Sequence, residues 1–306
     1  MNQKNFKIIL ITLLILTLYG CGRSDYQPLY NPHTGSQGLE IRFIENAPPN
    51  QVYELDTFPV GIILKNKGAS NIERGIININ YQKDYFTEQI SADKTILLRG
   101  RTTFDPNGEE KTRLFYFETK KMDSMSQIRD SLIAVNACYE YSTQLKTEAC
   151  IDPDIYDIMR DRTKPCRVEP KSFSGQGAPV GIVHINPTIS FDPLNEDLII
   201  PQFELTIQNL DRGNVIERNS LNRFCSDQGI TRDEFNKVEV YARMGTDLLE
   251  CNPAIVELDN RGQGKTRCRL NQGIYGATTA YNSLLEIHLL YGYTATISKE
   301  FKIHRR

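Results

Sequence analysis

The sequence predicts an all-β chain built as two tandem antiparallel sandwiches, and three observations carry that expectation. Apolar and polar residues alternate over short stretches, the period of a strand whose successive side chains point to opposite faces. Clusters of turn-forming residues separate those stretches, and no long amphipathic helical pattern occurs. Two segments about 150 residues apart, ACYEYSTQLKTEAC (137–150) and LLYGYTATISKEFK (289–302), share one rhythm.

The third of these observations is a repeat. Shifting the chain by 152 residues lays 131–151 on 283–303 and aligns Ser131 with Ser283, Leu132 with Leu284, Tyr139 with Tyr291, Tyr141 with Tyr293, Glu148 with Glu300 and Ile151 with Ile303. Ile133, Val135, Ala137, Tyr139 and Tyr141 share one face, as do Leu285, Ile287, Leu289, Tyr291 and Tyr293. Both faces are expected to point inward. Each copy is read as a β-hairpin closing its domain, the first turning near residue 144. Upstream, the stretch 58–81 alternates Phe58, Val60, Ile62 and Leu64 before Asn66-Lys67-Gly68. At an offset of 143, Phe203, Leu205 and Ile207 precede Asn209-Leu210-Asp211. Each is read as a strand, a polar turn and a partner strand, with extra residues in the second half.

With 306 residues, 40% hydrophobic and 24% charged, the chain is too long for one typical core and too apolar for disorder, so two domains are expected. The boundaries read as a signal peptide at 1–20, a tether at 21–37, a first sandwich at 38–155, a linker at 156–165 and a second sandwich at 166–306. Net charge of -2 supplies no positive field for phosphates, so nucleic acid is not an expected partner. Lys265, Arg267 and Arg269 read as a solvated strand face. Short helical turns are expected near 152–161 and 231–236.

The N-terminus carries Lys4 and Lys7 before IILITLLILTL, an apolar run of 11 residues. That is short of the roughly 20 residues of a spanning helix and suits a signal-peptide core. Leu18-Tyr19-Gly20-Cys21 resembles a prokaryotic lipobox, with Tyr19 bulkier than the usual small residue. The resemblance implies a lipid on Cys21, cleavage before it, and an extracytoplasmic protein held on the membrane and facing outward. Two acyl chains at roughly 0.8 kcal/mol per buried CH₂ suffice for such an anchor. An ordinary signal peptide or an uncleaved anchor helix is the alternative.

Six cysteines follow Cys21, an even number in an exported chain, which favours disulfides. Cys138 and Cys150 are symmetric about residue 144 and are expected to pair across the hairpin, on the face away from the core. Cys251 and Cys268 bracket a Gly-rich turn. Cys166 and Cys225 remain, tying the second half to the loop NRFCSDQG. Zinc is not expected, because no Cys-x-x-Cys occurs and the four histidines are scattered.

FIENAPPNQVYELDTFPVGIILKNKGAS resembles the opening of the immunoglobulin-like, CARDB-type β-sandwich domains of prokaryotic, especially archaeal, surface proteins, in which a Pro leads into a V-x-V-x-N-x-G strand and turn. LTIQNLDRGN is similar in the second half. The resemblance implies sandwiches of about seven strands, used outside the cell for display or for binding a surface protein or glycan, with no catalytic residues and no cofactor. Antibody-type hallmarks are missing, since the chain has no Trp.

Few residues suggest other chemistry. Asp152, Asp154, Asp157 and Asp161 crowd the junction and make a weak calcium candidate, without the Gly and Glu of an EF-hand loop. An Asp-Pro turn with a capped short helix is the preferred account of the same residues. SFSGQGAP (172–179) lacks the Lys of a phosphate loop and reads as a strand-entry loop. His184 and His288 lie on strands with no evident Ser or Cys and orienting acid beside them. An envelope-anchored hydrolase with a loop-borne site is therefore the alternative to a non-catalytic binding module.

Overall fold

Alternation of inward and outward side chains runs without a break of phase from Ile128 to Ile151 and again from Tyr281 to His304, and each stretch is one continuous strand of 24 residues. The computed structural model describes residues 29–90, 93–123, 126–156, 158, 163–226 and 231–306. Cys21, Asp157 and Asp161 lie outside those residues.

The strands are β1 (Leu39–Phe43), β2 (Gln51–Tyr53), β3 (Thr57–Asn66), β4 (Gly75–Tyr81), β5 (Phe86–Ile90), β6 (Glu110–Thr119) and β7 (Ile128–Ile151). There follow β8 (Lys171–Ser172), β9 (Val180–Asp192), β10 (Asn195–Asn209), β11 (Asn214–Ile216), β12 (Lys237–Met244) and β13 (Asp247–Asn252). The last are β14 (Ile255–Glu257), β15 (Gln263–Arg269), β16 (Ile274–Tyr275) and β17 (Tyr281–His304). Among the described residues one short helix, α1 (Leu221–Cys225), lies between 3-10 turns at Arg218–Ser220 and Arg232–Glu234. The described residues form an all-β fold, and pairing among them is antiparallel except where β2 runs parallel to the end of β17.

The expected hairpins are corrected to one long ribbon. β7 and β17 pair with each other over their full lengths, Tyr141 opposite Tyr291 and Tyr139 opposite Tyr293. Residues 139–148 contain no Gly, Pro or Asn-Gly to reverse the chain, and their tyrosines and threonines favour extended backbone. The repeated segments are thus partners about a pseudo-twofold axis between Glu140 and Gly292, which face each other in the register.

Strand order is β1-β3-β6-β5 in one sheet and β4-β7-β17-β12-β13-β15-β10-β9-β8 through the other. The halves correspond: β1 on β3 is matched by β9 on β10, with Leu39 opposite Asn66 and Val180 opposite Asn209. β4 on β7 is matched by β12 on β17. β3 and β4 are therefore in different sheets, not partners across a turn. The extra residues of the second half lie between β10 and β12, where they form β11 and α1. Residues 31–306 make one compact unit, and one apolar cluster runs from Leu39 and Phe58 through Tyr139 and Tyr291 to Ile303.

Two of the three expected disulfides are corrected. Cys138 bonds Cys225, Cys150 bonds Cys166, and Cys251 bonds Cys268. Cys138 and Cys150 cannot meet because both lie on straight β7, about 40 Å apart at the rise of a strand. Cys225 sits on α1 rather than in a loop, and the bond pins that helix over the outer face of β7. There Cys138, Ile216, Leu221 and Cys225 form a second, small apolar cluster, so Cys138 is fully buried. Gly292 permits this cover, since a Cβ there would lie 2.8 Å from Ile216.

Candidate functional site

The ribbon's inward face is built around four tyrosines. Tyr139, Tyr141, Tyr291 and Tyr293 are buried, with adjacent ring centroids 5.6 to 6.4 Å apart. Tyr141 OH donates to Asn66 Oδ1 (3.1 Å) and accepts from Ser70 N–H (3.3 Å); Tyr293 OH donates to Asn209 Oδ1 (3.0 Å) and accepts from Gly213 N–H (2.9 Å). Each Asn in turn donates to the carbonyl of that same residue, Asn66 to Ser70 (2.8 Å) and Asn209 to Gly213 (2.9 Å). The other two hydroxyls accept strand-end amides, Tyr139 from Leu39 (3.0 Å) and Tyr291 from Val180 (3.3 Å). Burial pushes all four phenols above their ordinary range. They are structural clamps, neutral at any physiological pH.

The outward face carries the charge. At the pseudo-axis Glu140 is flanked by Arg74 Nη1 (2.7 Å) and Arg218 Nε (3.3 Å), with Glu239 4.0 Å from Arg218 Nη1. A hollow of about 670 Å³ opens here, lined by Ser70, Asn71, Arg74, Glu140, Ser142 and Arg218. These are charge contacts without aligned geometry, for Glu140 Oε1 and Arg218 Nε have no hydrogen bond among the described residues. Further along, buried Glu286 accepts from Arg243 Nε (2.6 Å) and contacts Lys146 Nζ (3.1 Å). The hydrogen bonds from Lys146 and Arg243 hold its carboxyl below the usual range. His288 Nε2 lies 3.3 Å from Gln144 Nε2, and burial lowers its pKa against the pull of Glu286. Tyr241, 55% exposed, completes this face and donates to Glu239 (3.2 Å).

The remaining sequence candidates are placed as follows. Of the weak calcium candidates, Asp152 and Asp154 both turn their carboxylates to Lys164 Nζ, at 2.9 and 3.2 Å, and Asp157 lies outside the described residues. No cluster of metal-ligating side chains occurs among the described residues. His184 does have a serine beside it, because β8 pairs with β9 and sets Ser172 Oγ 3.1 Å from His184 Nδ1. No carboxylate bonds the ring's other nitrogen among the described residues. Lys265 and Arg267 are exposed on β15 and share Glu204. Composition gave no pointer to Arg74, Glu140 and Arg218, which come from three distant segments; the outward position of Glu140 on β7 was the one available signal.

No known family matches this sequence, and no curated protein does. Among solved structures, the secreted serine protease VesC from Vibrio cholerae aligns at 7% identity over 86% of this chain with a TM-score of 0.22. The chain spans about half of that protein, 51%. A non-toxic crystal protein from Bacillus thuringiensis aligns at 8% identity over 88% of this chain and 84% of its own, TM-score 0.13. The C-terminal domain of the Streptococcus pyogenes antigen I/II-family protein AspA aligns at 5% identity over 87% and 99%, TM-score 0.12. Likenesses this low carry no functional argument.

Proposed function

We propose that this chain is an exported, lipid-anchored surface protein built as two tandem immunoglobulin-like sandwiches, and that it acts without catalysis as a binding module for a surface protein or glycan. Three disulfides agree with an oxidising compartment, as does the signal-like N-terminus. The strand-for-strand correspondence of the halves supports a tandem origin. The observation that carries the binding reading is the hollow over Glu140, where Arg74, Glu140 and Arg218, from three separate segments, gather as a charge cluster beside Ser70, Asn71 and Ser142. Crosslinking from the native cell surface tests it: wild type captures a partner that Arg218→Ala captures at least five-fold less, and equal capture overturns the hollow's role. Replacing Cys21 by Ser tests the anchor, with loss of lipid labelling and of membrane fractionation as the result expected.

A hydrolase remains the second reading on one observation, the Ser172–His184 contact. If it holds, Ser172→Ala abolishes any ester hydrolysis the protein shows; hydrolysis unchanged by that substitution removes it.

A further inference from the structure

The two halves treat one shared opening in opposite ways. β9 is paired with β10 along one edge, while on its other edge Lys171 and Ser172 of β8 lie opposite Ile185 and His184, and Phe173 N–H donates to Val183 O (3.0 Å). Lys171 Nζ bonds the Glu148 carbonyl of β7 (2.6 Å), and Cys166 is tied to Cys150 near the end of β7. The strip 166–173 thus closes the gap between β9 and β7, with Phe173 packed on the core.

In the other half β1 holds the place of β9, and β17 the place of β7. Their edges face each other across an opening of about 430 Å³, lined by Leu39, Glu40 and Ile41 on one side, by Ala295, Thr296 and Ile297 on the other, and by the turn 211–214 at the Thr294 end. Among the described strands none pairs with that edge of β1, and none pairs with β17 on this side between Thr294, opposite Asn214, and Lys302, opposite Gln51. The phase of each ladder aims the free groups into the gap. Ile44 N–H donates to Gly61 O, so Ile41 and Phe43 turn their backbone groups away from β3. Gly245 N–H donates to Leu284 O and Lys302 N–H to Asn50 O, so Thr296 and Ser298 turn theirs to the same side. Thr143 gives its hydroxyl to the Val180 carbonyl (2.5 Å), but Ala295 stands at the equivalent place and has none to give Leu39. An unpaired edge of this kind is a template for strand addition.

We propose that the opening between β1 and β17 is a docking groove for an extended segment of a partner protein, which adds as a strand along β1. The segment seats a large apolar side chain as Phe173 is seated, with a basic residue two positions before it. That chemistry is the one this fold accepts at the equivalent opening. The inference rests on the binding-module reading and adds to it a second surface, separate from the hollow over Glu140, and a class of partner.

The test uses the full chain in detergent and a dye-labelled peptide of the sequence of residues 169–176, EPKSFSGQ, followed by fluorescence anisotropy. Saturable binding is expected, weakened at least ten-fold when the peptide's Phe is replaced by Ala, and at least ten-fold by Thr296→Pro in the protein. Thr296 is exposed and its N–H faces the gap, so proline there spares the ladder to β7. If circular dichroism shows that variant unfolded, Thr296→Cys alkylated after folding with a bulky maleimide replaces it, beside alkylated wild type. Equal affinity in open and blocked chains, or no saturable binding, overturns the groove. So does a concentration-dependent dimer of the wild type that Thr296→Pro abolishes, since it assigns the opening to a second copy. Surface crosslinking separates the two readings: the same partners from open and blocked chains overturn the groove alone, and no partner from either overturns both.

Discussion

On the inward face of the β7–β17 ribbon, Tyr139, Tyr141, Tyr291 and Tyr293 are buried and their hydroxyls grip turns and strand ends of both halves; on the outward face, Glu140, Lys146, Glu286 and His288 are held by one another and by half-exposed arginines. One pair of strands makes both. The difference lies in what replaces water. Inside, each phenol's loss of solvent is offset by backbone amides and two asparagines, and the rings supply the apolar area. Outside, the half-exposed arginines and Lys146 keep much of their hydration while the carboxylates of Glu140 and Glu286 are largely covered, so it is the cations that remain available to a partner.

The comparison predicts a steep gradient of effects. Tyr291→Ala is expected to lower the unfolding free energy by about 3 to 5 kcal/mol, read by urea denaturation with disulfides intact. An effect under about 1 kcal/mol would show that the inner face is not the anchor. Removing Cys138–Cys225, which closes 87 residues, is expected to cost about 4.6 kcal/mol, and removing Cys150–Cys166, which closes 16, about 3 kcal/mol, on the chain-entropy account. Double serine variants measured side by side check the order.

Acid sharpens the contrast further. Glu286 has its folded pKa below its ordinary 4.5, so its ion pairs stabilise fully above that pH and the contribution is lost as pH falls through the folded value. His288 is also lowered, from 6.5; the unfolded chain takes up that proton first, so stability declines as pH falls from 6.5 toward the folded value. Denaturation midpoints against pH are therefore expected to flatten below 4.5 in Glu286→Gln and just below 6.5 in His288→Gln, while Tyr291→Phe leaves both slopes unchanged. The smallest effect belongs to Arg74→Ala, at most about 1 kcal/mol, because its side chain is 62% exposed.

Which residues point inward was legible in the sequence. Period-two alternation put Tyr141 and Tyr293 in the core, and the shared offset of Asn66 and Asn209 marked two turns that are the same turn. What alternation cannot encode is the partner. A strand that continues and one that reverses at residue 144 bury the same odd-numbered side chains, so the phase of Tyr141, Leu145 and Ile151 was silent about hairpin or ribbon. The disulfide errors followed from that one ambiguity. The charged hollow was hidden for the same reason, since Arg74, Glu140 and Arg218 meet only because β4 and the 3-10 turn before α1 flank β7. Ser172 beside His184 depends on a two-residue strand too short to carry any periodic signal.

β17 also bears on how the protein reaches its final form. It follows in sequence every strand that it pairs with, namely β2, β7, β11 and β12. During synthesis or passage across a membrane those four wait with bare edges, and contacts of such long sequence separation assemble slowly. Nothing short of delivering residues 281–304 completes the large sheet, so a polypeptide stalled before Tyr281 is a natural substrate for chaperones and proteases rather than a shorter working molecule.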